Sequence, residues 1–549
     1  MVRKMSSNKK TKILFIISEF VPIGVELLTQ IIKNSGFEVV TIYYDDSVPF
    51  ITENDWNSDL RGIKKFQEFL VEQIHKEQPS IIGFSCFTSN YQWSLQCSKF
   101  IKSKFDIPIA FGGYHAIQAS EAMIQENSID IVCFGEGETT IVELLSALDK
   151  NKEIVHIKNL LVKINGKVYR NETNELIRDL DTLPYPDKSL FAKLDENAVS
   201  KGTYLMIGSR GCFYKCSFCS NNFLISKFKG WNRVRYRSPE SIFAEIENYV
   251  NTHSIKLKLV DFTDDIVGHT NDRLAKLFYG FKEKFNIPYT CLIYPTLVDE
   301  ESFKIFSETG CSMLRLGLQT TNEELRKKNL FRRETNDLIL QIGMWAHKYN
   351  VPFAVDQLFG LPYERNEDLI DSVAFYNKLK PAKVVGHRLM YLPGTQAVND
   401  AIIEGRLQES DIEKINSGTM SSWSWMAAQM PGAELSKDTS NYEVLLSRVS
   451  YLYSLIPIKS TEYIENKINN GFLTSTKPLN RWRIMFITGI HKLSFINIHL
   501  VLIMIKSIIF KRFRKPFFIF HHTKQTANDI KKDLPKTNKK KKVIPVITT

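Results

Sequence analysis

The chain has 549 residues, of which 43% are apolar and 24% are charged, and its formal net charge is +12. This ordinary globular composition excludes a wholly disordered, collagen-like or polytopic membrane protein, and the length predicts two to four domains. Eight cysteines are too few for a disulfide scaffold, and no basic-apolar signal follows Met1, so the sequence favours a cytoplasmic protein with reduced thiols.

Residues 12–150 alternate short apolar runs with amphipathic segments. Such runs predict strands that are buried on both faces of a parallel sheet. The predicted strands are Lys12–Ser18, Phe37–Tyr43, Ser80–Cys86, Ile107–Phe111 and Ile129–Phe134. Five strands separated by helices predict an α/β domain with a doubly wound parallel sheet, whose ligand site lies at the carboxyl ends of the strands. Two glycine motifs, Gly112-Gly113 and Gly135-Glu136-Gly137, follow two of those ends.

Residues 151–198 are predicted to be a connector that contains a hairpin around Asn165-Gly166. A second alternation then fills residues 199–400, with six β/α units that predict a partial (β/α)6 barrel. The predicted barrel strands are Tyr204–Gly208, Lys256–Phe262, Tyr289–Tyr294, Met313–Leu318, Phe353–Phe359 and Val384–Tyr391. Residues 401–530 are predicted to be mainly helical, and residues 531–549 a basic disordered tail.

The positive charge is concentrated at the C-terminus. Residues 477–549 contain 17 Lys and Arg and two acids, a net charge of +15, which leaves residues 1–476 with −3. A near-neutral body gives no support for nucleic-acid binding. The apolar segment Leu493–Ile505 precedes the basic run Lys511–Lys515, and two alternatives stay open for it: a helix packed on the barrel, or peripheral membrane contact through residues 484–518.

The first barrel strand runs into a C-x3-C-x2-C motif formed by Cys212, Cys216 and Cys219. Three thiolates on one loop at a strand's carboxyl end can serve one metal centre. Structural zinc sites and ordinary iron–sulfur clusters take four protein ligands, so three would leave one iron of a four-iron cluster open. The other cysteines stand singly in apolar surroundings and are interpreted as packing residues: Cys86, Cys97, Cys133, Cys291 and Cys311.

The cysteine motif, with Phe218 directly before its last cysteine, resembles the signature of the radical S-adenosylmethionine (SAM) superfamily. The resemblance implies a [4Fe–4S] cluster on the three cysteines, with SAM bound at the open iron and cleaved reductively to the 5′-deoxyadenosyl radical. Segments 261–265, 316–320 and 359–364 resemble later strand ends of that family. The SAM-binding residues implied in this way are Phe218, Asp264, Gln319, Gly360 and Pro362.

Two details of this resemblance depart from the family pattern or stay open. Tyr363 stands in the fifth-strand segment at a position where glycine is commoner. Two residues of this chain, Arg315 and Arg333, are candidates for the arginine that faces SAM in the family, and spacing does not decide between them.

The first domain resembles the cobalamin-binding domain that precedes the barrel in a large radical SAM subclass. The residues implied to contact cobalamin are Ser85, Gly112, Gly113, His115, Gly135, Glu136 and Gly137. His115 is assigned to the pocket for the nucleotide tail and not to cobalt. Many cobalamin proteins ligate cobalt with a histidine after the first strand, where this chain has Val21, so bound cobalamin would lack that imidazole. The alternative is a doubly wound domain that binds another ligand or none.

Together these features predict a cobalamin-dependent radical SAM enzyme that works under anaerobic conditions and methylates an unactivated carbon. One SAM would supply the methyl group through cobalamin, and a second would supply the radical. The alternatives are radical cyclisation or rearrangement, a radical SAM enzyme without cobalamin, and a non-enzymatic cofactor-binding regulator. The expected partners are a small-molecule, lipid or peptide substrate and an electron donor such as flavodoxin or ferredoxin.

Overall fold

The computed structural model describes residues 10–18, 22–44, 63–195, 202–420, 439–475 and 517–522. Within these ranges two α/β sheets are followed by helices, which confirms the predicted fold class. The strands of the first sheet are β1 Lys12–Ser18, β2 Glu38–Tyr44, β3 Ile81–Ser85, β4 Ile109–Gly112, β5 Ile131–Cys133, β6 Leu160–Ile164, β7 Lys167–Arg170 and β16 Phe517–His521. The helices around it are α1 Ile23–Asn34, α2 Ile63–Glu77, α3 Tyr91–Lys102, α4 Tyr114–Gln118, α5 Ser120–Met123, α6 Glu138–Asp149 and α7 Ser189–Asp195.

The strand order of the first sheet is β16-β2-β1-β3-β4-β5-β6-β7, and β1 to β5 are parallel. Successive side chains of β1 enter two different apolar cores, with Ile13 and Phe15 in one and Leu14 and Ile16 in the other. Because a strand directs alternate side chains to opposite faces, the unbroken apolar run reflects burial on both sides. From β1 the strand order runs to β2 on one side and to β3 on the other. A doubly wound fold opens a crevice for a ligand at this switch point, between β1 and β3.

The hairpin that the sequence assigned to the connector extends this first sheet. Strand β6 pairs antiparallel with β5, and β7 pairs antiparallel with β6. The turn between them has positive φ at Asn165 (50°) and Gly166 (78°), as a two-residue type I′ hairpin requires. The sheet therefore continues to Arg170, beyond residue 150, where the sequence placed the end of the first domain.

The second sheet contains six parallel strands in the order β8-β11-β12-β13-β14-β15. They are β8 Thr203–Met206, β11 Leu259–Phe262, β12 Tyr289–Ile293, β13 Cys311–Gln319, β14 Phe353–Phe359 and β15 Lys383–Arg388. A short ribbon, β9 Ser209–Arg210 and β10 Arg235–Tyr236, follows the first of these strands. The barrel helices are α8 Ser220–Lys227, α9 Pro239–His253, α10 Asn271–Phe285, α11 Glu300–Thr309, α12 Glu323–Lys328, α13 Asn336–Lys348 and α14 Asn366–Leu379. Parallel strands joined in sequence by helices place all six carboxyl ends at one edge.

The C-terminal region is mainly helical, as predicted, but one of its segments is a strand. Its described helices are α15 Gln396–Ile403, α16 Asp411–Asn416, α17 Thr439–Leu455 and α18 Thr461–Asn469. Val449 and Leu452 of α17 pack into the core of the barrel. The β-branched and aromatic run of β16 instead pairs with the exposed edge of β2. Leu493–Ile505 and Lys511–Lys515 lie outside the described residues, and no described helix is long and apolar enough to cross a bilayer.

Strand β16 is fixed to the first domain by a buried cluster of charged and polar groups. His522 lies with its Nδ1 3.1 Å from Asp187 Oδ2 and its Nε2 3.0 Å from Thr41 Oγ1. Lys33 Nζ donates to the same Asp187 oxygen at 2.9 Å. The side chains of His522 and Asp187 are each 3% exposed. The cluster therefore joins the C-terminal strand, helix α1 and the connector before α7.

Replacing Asp187 with Asn tests this cluster. Burial raises the pKa of Asp187, but the His522 and Lys33 contacts outweigh burial and hold its pKa well below the ordinary range. Such a carboxylate contributes stability that is fully present above the ordinary Asp pKa of about 3.9 and is lost as pH falls toward the folded-state value. We expect Asp187→Asn to lower the free energy of unfolding by about 3 kcal/mol near pH 5, because it breaks a buried pair.

The same reasoning predicts how this difference depends on pH. The difference should shrink by about 1.4 kcal/mol for each pH unit below about 3.9. Below this pH the carboxyl is protonated in the unfolded wild-type chain and must lose its proton on folding, whereas the Asn variant has no such proton to lose. Urea unfolding of both proteins between about pH 5 and about pH 3 measures it. A difference that stays constant over this range would show that the charge of Asp187 does not stabilise the fold.

Candidate active site

The cysteine loop starts directly after the β9 segment, at a backbone position that only glycine fits. Gly211 has a φ of +89°, and a Cβ at this position would lie 2.7 Å from the Trp231 carbonyl oxygen and 2.8 Å from that of Arg233. Glycine adopts this left-handed conformation without a steric penalty. The chain therefore turns sharply just before Cys212, where the cysteine loop begins.

All three predicted cluster cysteines lie in this loop. Cys212 and Cys216 are buried, whereas Cys219 is partly buried at the start of α8, where its Sγ accepts a hydrogen bond from the Asn221 backbone N–H at 3.5 Å. Amide groups at a helix N-terminus stabilise a thiolate. Without a bound cation, burial raises the pKa of Cys212 and of Cys219 to about 12 and also raises the pKa of Cys216. A metal centre would offset this effect by its own charge.

The donor set fits a four-iron cluster. In such a cluster each thiolate bonds a different iron, so the thiolates need not converge on a single metal ion. Three thiols on one loop therefore suit a [4Fe–4S] cluster that keeps one iron open to another ligand.

Arg332 is a site residue that sequence reasoning missed. The Ser217 backbone N–H donates to the Leu330 carbonyl at 3.3 Å, which brings the segment after α12 against the cysteine loop. Arg332 Nη1 then lies 3.6 Å from Cys216 Sγ, and its Nε donates to Glu334 Oε1. Nothing in the local spacing distinguishes Arg332 from its neighbour Arg333, because the contact depends on how the loop after α12 folds back.

The two arginines that the sequence offered as SAM-facing residues differ in their surroundings. Arg333 is exposed. Arg315 pairs with Asp356 at 3.1 Å within the barrel sheet. Arg332, which is 4% exposed, is the arginine beside the cysteine motif.

Arg332 variants should separate its structural role from its role at the cysteines. Arg332→Ala would leave Glu334 buried without its cation, and we expect a loss of about 3–5 kcal/mol in unfolding free energy. Arg332→Lys keeps the charge but cannot replace a planar group that contacts Cys216, Glu334 and the Gly317 carbonyl together. We expect Arg332→Lys to fold but to cleave SAM at least about tenfold more slowly. Thermal unfolding and the rate of 5′-deoxyadenosine formation check both, and unchanged values in Arg332→Ala would contradict the assignment.

The predicted SAM residues Phe218, Gln319, Gly360 and Pro362 gather around the carboxyl edge of the barrel. Phe218 packs both on the cysteine cluster and on the apolar cluster that contains Leu361. Gln319 ends β13 with a φ of +75°, and Gly360, directly after β14, has a φ of +76°. Pro362 is buried in the turn that follows. The open space at Gly360, where a Cβ would have no neighbour within 4 Å, leaves the backbone accessible to a ligand.

Tyr363, which replaces the commoner glycine, adopts the conformation that glycine would favour. Its φ is +64°, and its side chain is exposed. The Tyr363 backbone N–H donates to Glu404 Oε2 at 2.8 Å, and the Gly360 backbone N–H donates to Glu364 Oε2 at 2.7 Å. These two carboxylates hold the turn in place. Tyrosine at position 363, where the family more often has glycine, therefore strains the backbone but leaves the turn intact.

Asp264 faces a different part of the site from the other predicted SAM residues. Its Oδ1 accepts hydrogen bonds from the Gly208 backbone N–H at 2.9 Å and from Ser209 Oγ at 2.5 Å. Its Oδ2 is buried and has no partner among the described residues. Burial raises the pKa of Asp264 to about 7, although these two hydrogen bonds lower it. Asp264 lines a cavity that lies between the barrel and the first domain.

This central cavity has a volume of about 390 Å³ and connects the two sheets. From the first domain it is lined by Ser85, Gly112, Gly113, Gly135, Glu136 and Gly137, and from the barrel by Ser209, Arg210, Gly211, Thr263, Asp264 and Asp265. It also extends between β1 and the apolar faces of helices α1 and α6. The structure thus brings six of the seven predicted cobalamin residues together, and Gly211 links their cavity to the cysteine loop.

Gly113 shows why this wall of the cavity needs glycine. Its φ is +94°, and a Cβ would lie 2.6 Å from the Cys86 carbonyl oxygen. The backbone of β4 therefore approaches β3 more closely than any side chain would allow. The wall that results is made of backbone and can lie flat against a large planar ligand.

The Glu136 side chain has a role that the sequence did not reveal. Glu136 accepts from Arg210 Nη1 at 3.1 Å and from Arg235 Nη1 at 2.9 Å, and Glu138 accepts from Arg210 Nη2 at 2.6 Å. Both arginines belong to the β9–β10 ribbon of the barrel. The glycine-rich motif of the first domain therefore lines the cavity with its backbone and ties the two domains together with its carboxylates.

His115 is separated from this set. Its ring is fully buried, with Nδ1 3.1 Å from Thr88 Oγ1 and Nε2 3.0 Å from the Asn416 carbonyl oxygen, and it does not line the central cavity. Burial lowers the pKa of His115 to about 3, so the ring is neutral. Val21, the residue expected in place of a cobalt-ligating histidine, lies outside the described residues.

Comparisons with known proteins match this two-domain arrangement. Residues 16–145 match the family model of the B12 binding domain, and residues 206–376 match that of the radical SAM superfamily. The first match contains the glycine-rich wall of the cavity and the second contains the cysteine loop. The two matches confirm the predicted resemblance to cobalamin-binding radical SAM proteins and both predicted cofactor-binding domains.

Individual relatives are distant in sequence. An uncharacterised methyltransferase of Pyrococcus horikoshii is 26% identical over 312 residues, which cover 56% of this chain and 66% of the relative. The chain spans from about half to two thirds of the length of several such curated relatives.

Two solved structures share the fold. The radical SAM methyltransferase TsrM of Kitasatospora setae, with cobalamin and a [4Fe–4S] cluster bound, is 17% identical and aligns with a TM-score of 0.55 over 71% of this chain and 77% of its own. The cobalamin-dependent SAM radical enzyme OxsB, with aqua-cobalamin and SAM bound, is 14% identical and aligns with a TM-score of 0.59 over 93% and 82%. The second alignment extends beyond both matched domains into the C-terminal helices.

Proposed function

We propose that this protein is a cobalamin-dependent radical SAM methyltransferase that acts on an unactivated carbon. The observation that carries the proposal is the position of Gly211, which lines the central cavity and directly precedes Cys212. A ligand on the glycine wall of the first domain would therefore lie next to a cluster held by the cysteine loop. The methyltransferase of Pyrococcus horikoshii and TsrM support the choice of methyl transfer.

The residues of the chain fit the three cofactors in three adjoining places. The cysteine loop supplies three thiolates for a [4Fe–4S] cluster, and the turn at Gly360 offers open backbone beside it for SAM. The cavity lined by Gly112 and Gly113 offers cobalamin a flat backbone wall on one side and the apolar side chains of β1, α1 and α6 on the other. When bound, these groups supply a carbon-centred radical and a transferable methyl group.

The protein's own contribution is to exclude water and to place a proton carrier between the domains. Asp264 is 3% exposed and lines the cavity, and its Oδ2 has no partner among the described residues. Because its pKa is raised to about 7 by burial, the carboxyl exchanges a proton near neutral pH. Radical chemistry at an unactivated carbon needs no strong acid. We therefore assign Asp264 a supporting role: it orients a polar group of the ligand and holds or releases one proton.

Product analysis tests methyl transfer against the alternatives. Full-length protein is loaded anaerobically with cluster and cobalamin, reduced, and mixed with SAM. Methyl transfer predicts about one S-adenosylhomocysteine per bound cobalamin even before a substrate is supplied, because the first methyl donation does not need one. A cyclase or rearrangement enzyme would form 5′-deoxyadenosine without S-adenosylhomocysteine, and protein that retains no corrin after gel filtration would exclude the cobalamin part of the proposal.

Peripheral membrane contact through residues 484–518 is a separate proposal that rests on sequence. The basic run Lys511–Lys515 would contribute about 1 kcal/mol for each cation near an anionic surface. Cosedimentation of the full chain with anionic and neutral vesicles tests it, with a full-length variant in which Lys511, Arg512, Arg514 and Lys515 are replaced by Gln as the control. Selective sedimentation of the full chain with anionic vesicles would favour a lipid-linked or membrane-dissolved substrate, whereas equal, negligible sedimentation of both chains would leave the packed helix.

A further inference from the structure

The two faces of the barrel sheet are covered unequally. Buried and partly buried residues alternate along β8, β11 and β12. Leu314 and Leu316 of β13 and Val355 of β14 belong to the apolar core that also contains Ile342 of α13 and Leu369 of α14. Because alternate side chains of a strand point to opposite faces, the helices cover one face and leave the other partly open. We name the partly open face the inner face, and it carries Asp261, Thr290, Leu292, Arg315, Asp356 and His387.

Three neighbouring strands place a charged cluster on the inner face. Arg315 of β13 donates from Nη2 to both carboxylate oxygens of Asp356 of β14, at 3.1 and 3.3 Å. Nε2 of His387, on β15, lies 3.3 Å from Asp356 Oδ1. Burial raises the pKa of Asp356, but the contacts with His387 and Arg315 outweigh burial and hold its pKa below the ordinary value. An ionised carboxylate therefore joins the three side chains near neutral pH.

The exposure of these side chains shows what the cluster presents to the barrel interior. The Asp356 side chain is 9% exposed, whereas that of Arg315 is 48% exposed and that of His387 is 36% exposed. Strand β13 has a neighbour on each side, so the exposure of Arg315 marks unfilled space beside the inner face. Closed β/α barrels instead fill their interior with bulky branched side chains. A ligand in this space would therefore meet the cation, while its counter-ion is buried.

Asp356 uses only part of the hydrogen-bonding capacity of Arg315. Only Nη2 donates to Asp356, and no described residue accepts from Nε or Nη1 of Arg315. A guanidinium is a planar fork that can bind carboxylate or phosphate through two parallel N–H groups. Asp261, another acid of the inner face, instead accepts from Thr290 Oγ1 at 2.6 Å. Asp356 can therefore hold Arg315 in place while the guanidinium binds a second anion.

From this arrangement we propose that Arg315 binds an anionic group of the substrate, a carboxylate or a phosphate, on the inner face of the barrel, with Asp356 as a positioning residue. The inference rests on the proposed function, since it presumes that the barrel interior holds the substrate. Arg315 stands four residues before Gln319, the predicted SAM residue at the end of the same strand. A strand rises about 3.3 Å per residue, so the two residues are about 13 Å apart along β13. The substrate would thus carry its acidic group well away from the carbon that is methylated.

Chemical protection of Arg315 tests the anion site in full-length protein loaded with cluster and cobalamin. Phenylglyoxal modifies accessible arginines, and mass spectrometry of a digest gives the rate of modification at each one. Arg178, whose side chain is 87% exposed in the connector, is the reference arginine in the same sample. The anionic probes are benzoate and phenyl phosphate, and benzamide is the matched neutral probe.

We expect benzoate, phenyl phosphate or both to slow the modification of Arg315 at least about tenfold at saturation, because bound anion shields the guanidinium. Arg178 should react at the same rate throughout, and benzamide should have no effect. Protection by one anion alone would identify the acidic group as a carboxylate or as a phosphate.

Binding by variants provides a second readout that does not depend on turnover. The Kd of the protecting anion, measured by calorimetry, should rise at least about tenfold in Arg315→Gln. It should rise less in Arg315→Lys, which keeps the charge but not the planar fork. Arg178→Gln is the control and should leave the Kd unchanged, and an unchanged Kd in Arg315→Gln would reject the site.

Three other results would also overturn the inference. Failure of phenylglyoxal to modify Arg315 in the unliganded protein would show that the inner face is closed. Equal modification with all three probes would show that no anion binds there. Protection by SAM without any other anion would assign Arg315 to the carboxylate of SAM. A preparation that forms no 5′-deoxyadenosine from SAM and dithionite would instead reject the proposed function, which neither the protection nor the calorimetric measurement requires.

Discussion

Replacing Cys212, Cys216 and Cys219 together by alanine is expected to abolish iron–sulfur loading and to reduce SAM cleavage to background. The reason is that the loop supplies all three thiolates of the predicted cluster, each of which would bond a different iron. We expect iron and sulfide content after anaerobic reconstitution to fall from about four of each per chain to near zero. The visible absorbance of the cluster should disappear with them.

Cys311→Ala is the matched control for the triple variant. Cys311 is buried at the amino end of β13, the edge of the barrel sheet opposite the cysteine loop. Its replacement removes one sulfur atom from the core and should leave iron content and SAM cleavage intact. A triple variant that still binds a full complement of iron would show that the cluster has other ligands.

Filling the central cavity from Gly112 is expected to abolish cobalamin binding while preserving the fold. Gly112 lines the cavity on the same face of β4 as Ala110, and a Cβ there would meet only Cys133 Cβ, at 3.9 Å. Its φ does not lie in the left-handed region, so larger residues are allowed by the backbone. A leucine at this position would therefore extend into the space that the ligand needs.

The graded pair Gly112→Ala and Gly112→Leu separates blocking of the cavity from damage to the domain. We expect Gly112→Ala to retain cobalamin with a Kd within about tenfold of the unsubstituted protein, and Gly112→Leu to lose at least about 100-fold, because ordered backbone contacts are replaced by a clash. Equilibrium dialysis with hydroxocobalamin measures both, and circular dichroism verifies folding. Equal affinity of the two variants would place cobalamin elsewhere.

The features that could be predicted from the sequence are those that depend on local pattern. Apolar runs identified the parallel strands, and the three-cysteine spacing identified the loop, because both signals lie within a few neighbouring residues. Gly112 and Gly113 were found as cavity residues for the same reason, since they follow a predicted strand and glycine has few other uses there.

The features that were missed depend on contacts between distant parts of the chain. Arg332 reaches Cys216 only because Leu330 packs on the cysteine loop, and Glu136 meets Arg210 only because the two domains face each other. His115 follows a glycine motif that lines the cavity, and its Nε2 lies 3.0 Å from the Asn416 carbonyl oxygen, a contact between parts of the chain 301 residues apart; its assignment to the nucleotide-tail pocket stays a prediction. Strand β16 pairs with β2 across more than 470 residues of sequence, so no local pattern indicates its partner.

The central claim is that a cluster on the cysteine loop cleaves SAM beside the cavity of the first domain. The most direct measurement is product analysis after anaerobic reconstitution with iron, sulfide and hydroxocobalamin, followed by reduction with dithionite and addition of SAM. The account predicts 5′-deoxyadenosine and methionine in equal amounts, formed only when the cluster is present. Protein that carries about four irons per chain, remains folded and forms no 5′-deoxyadenosine would contradict it.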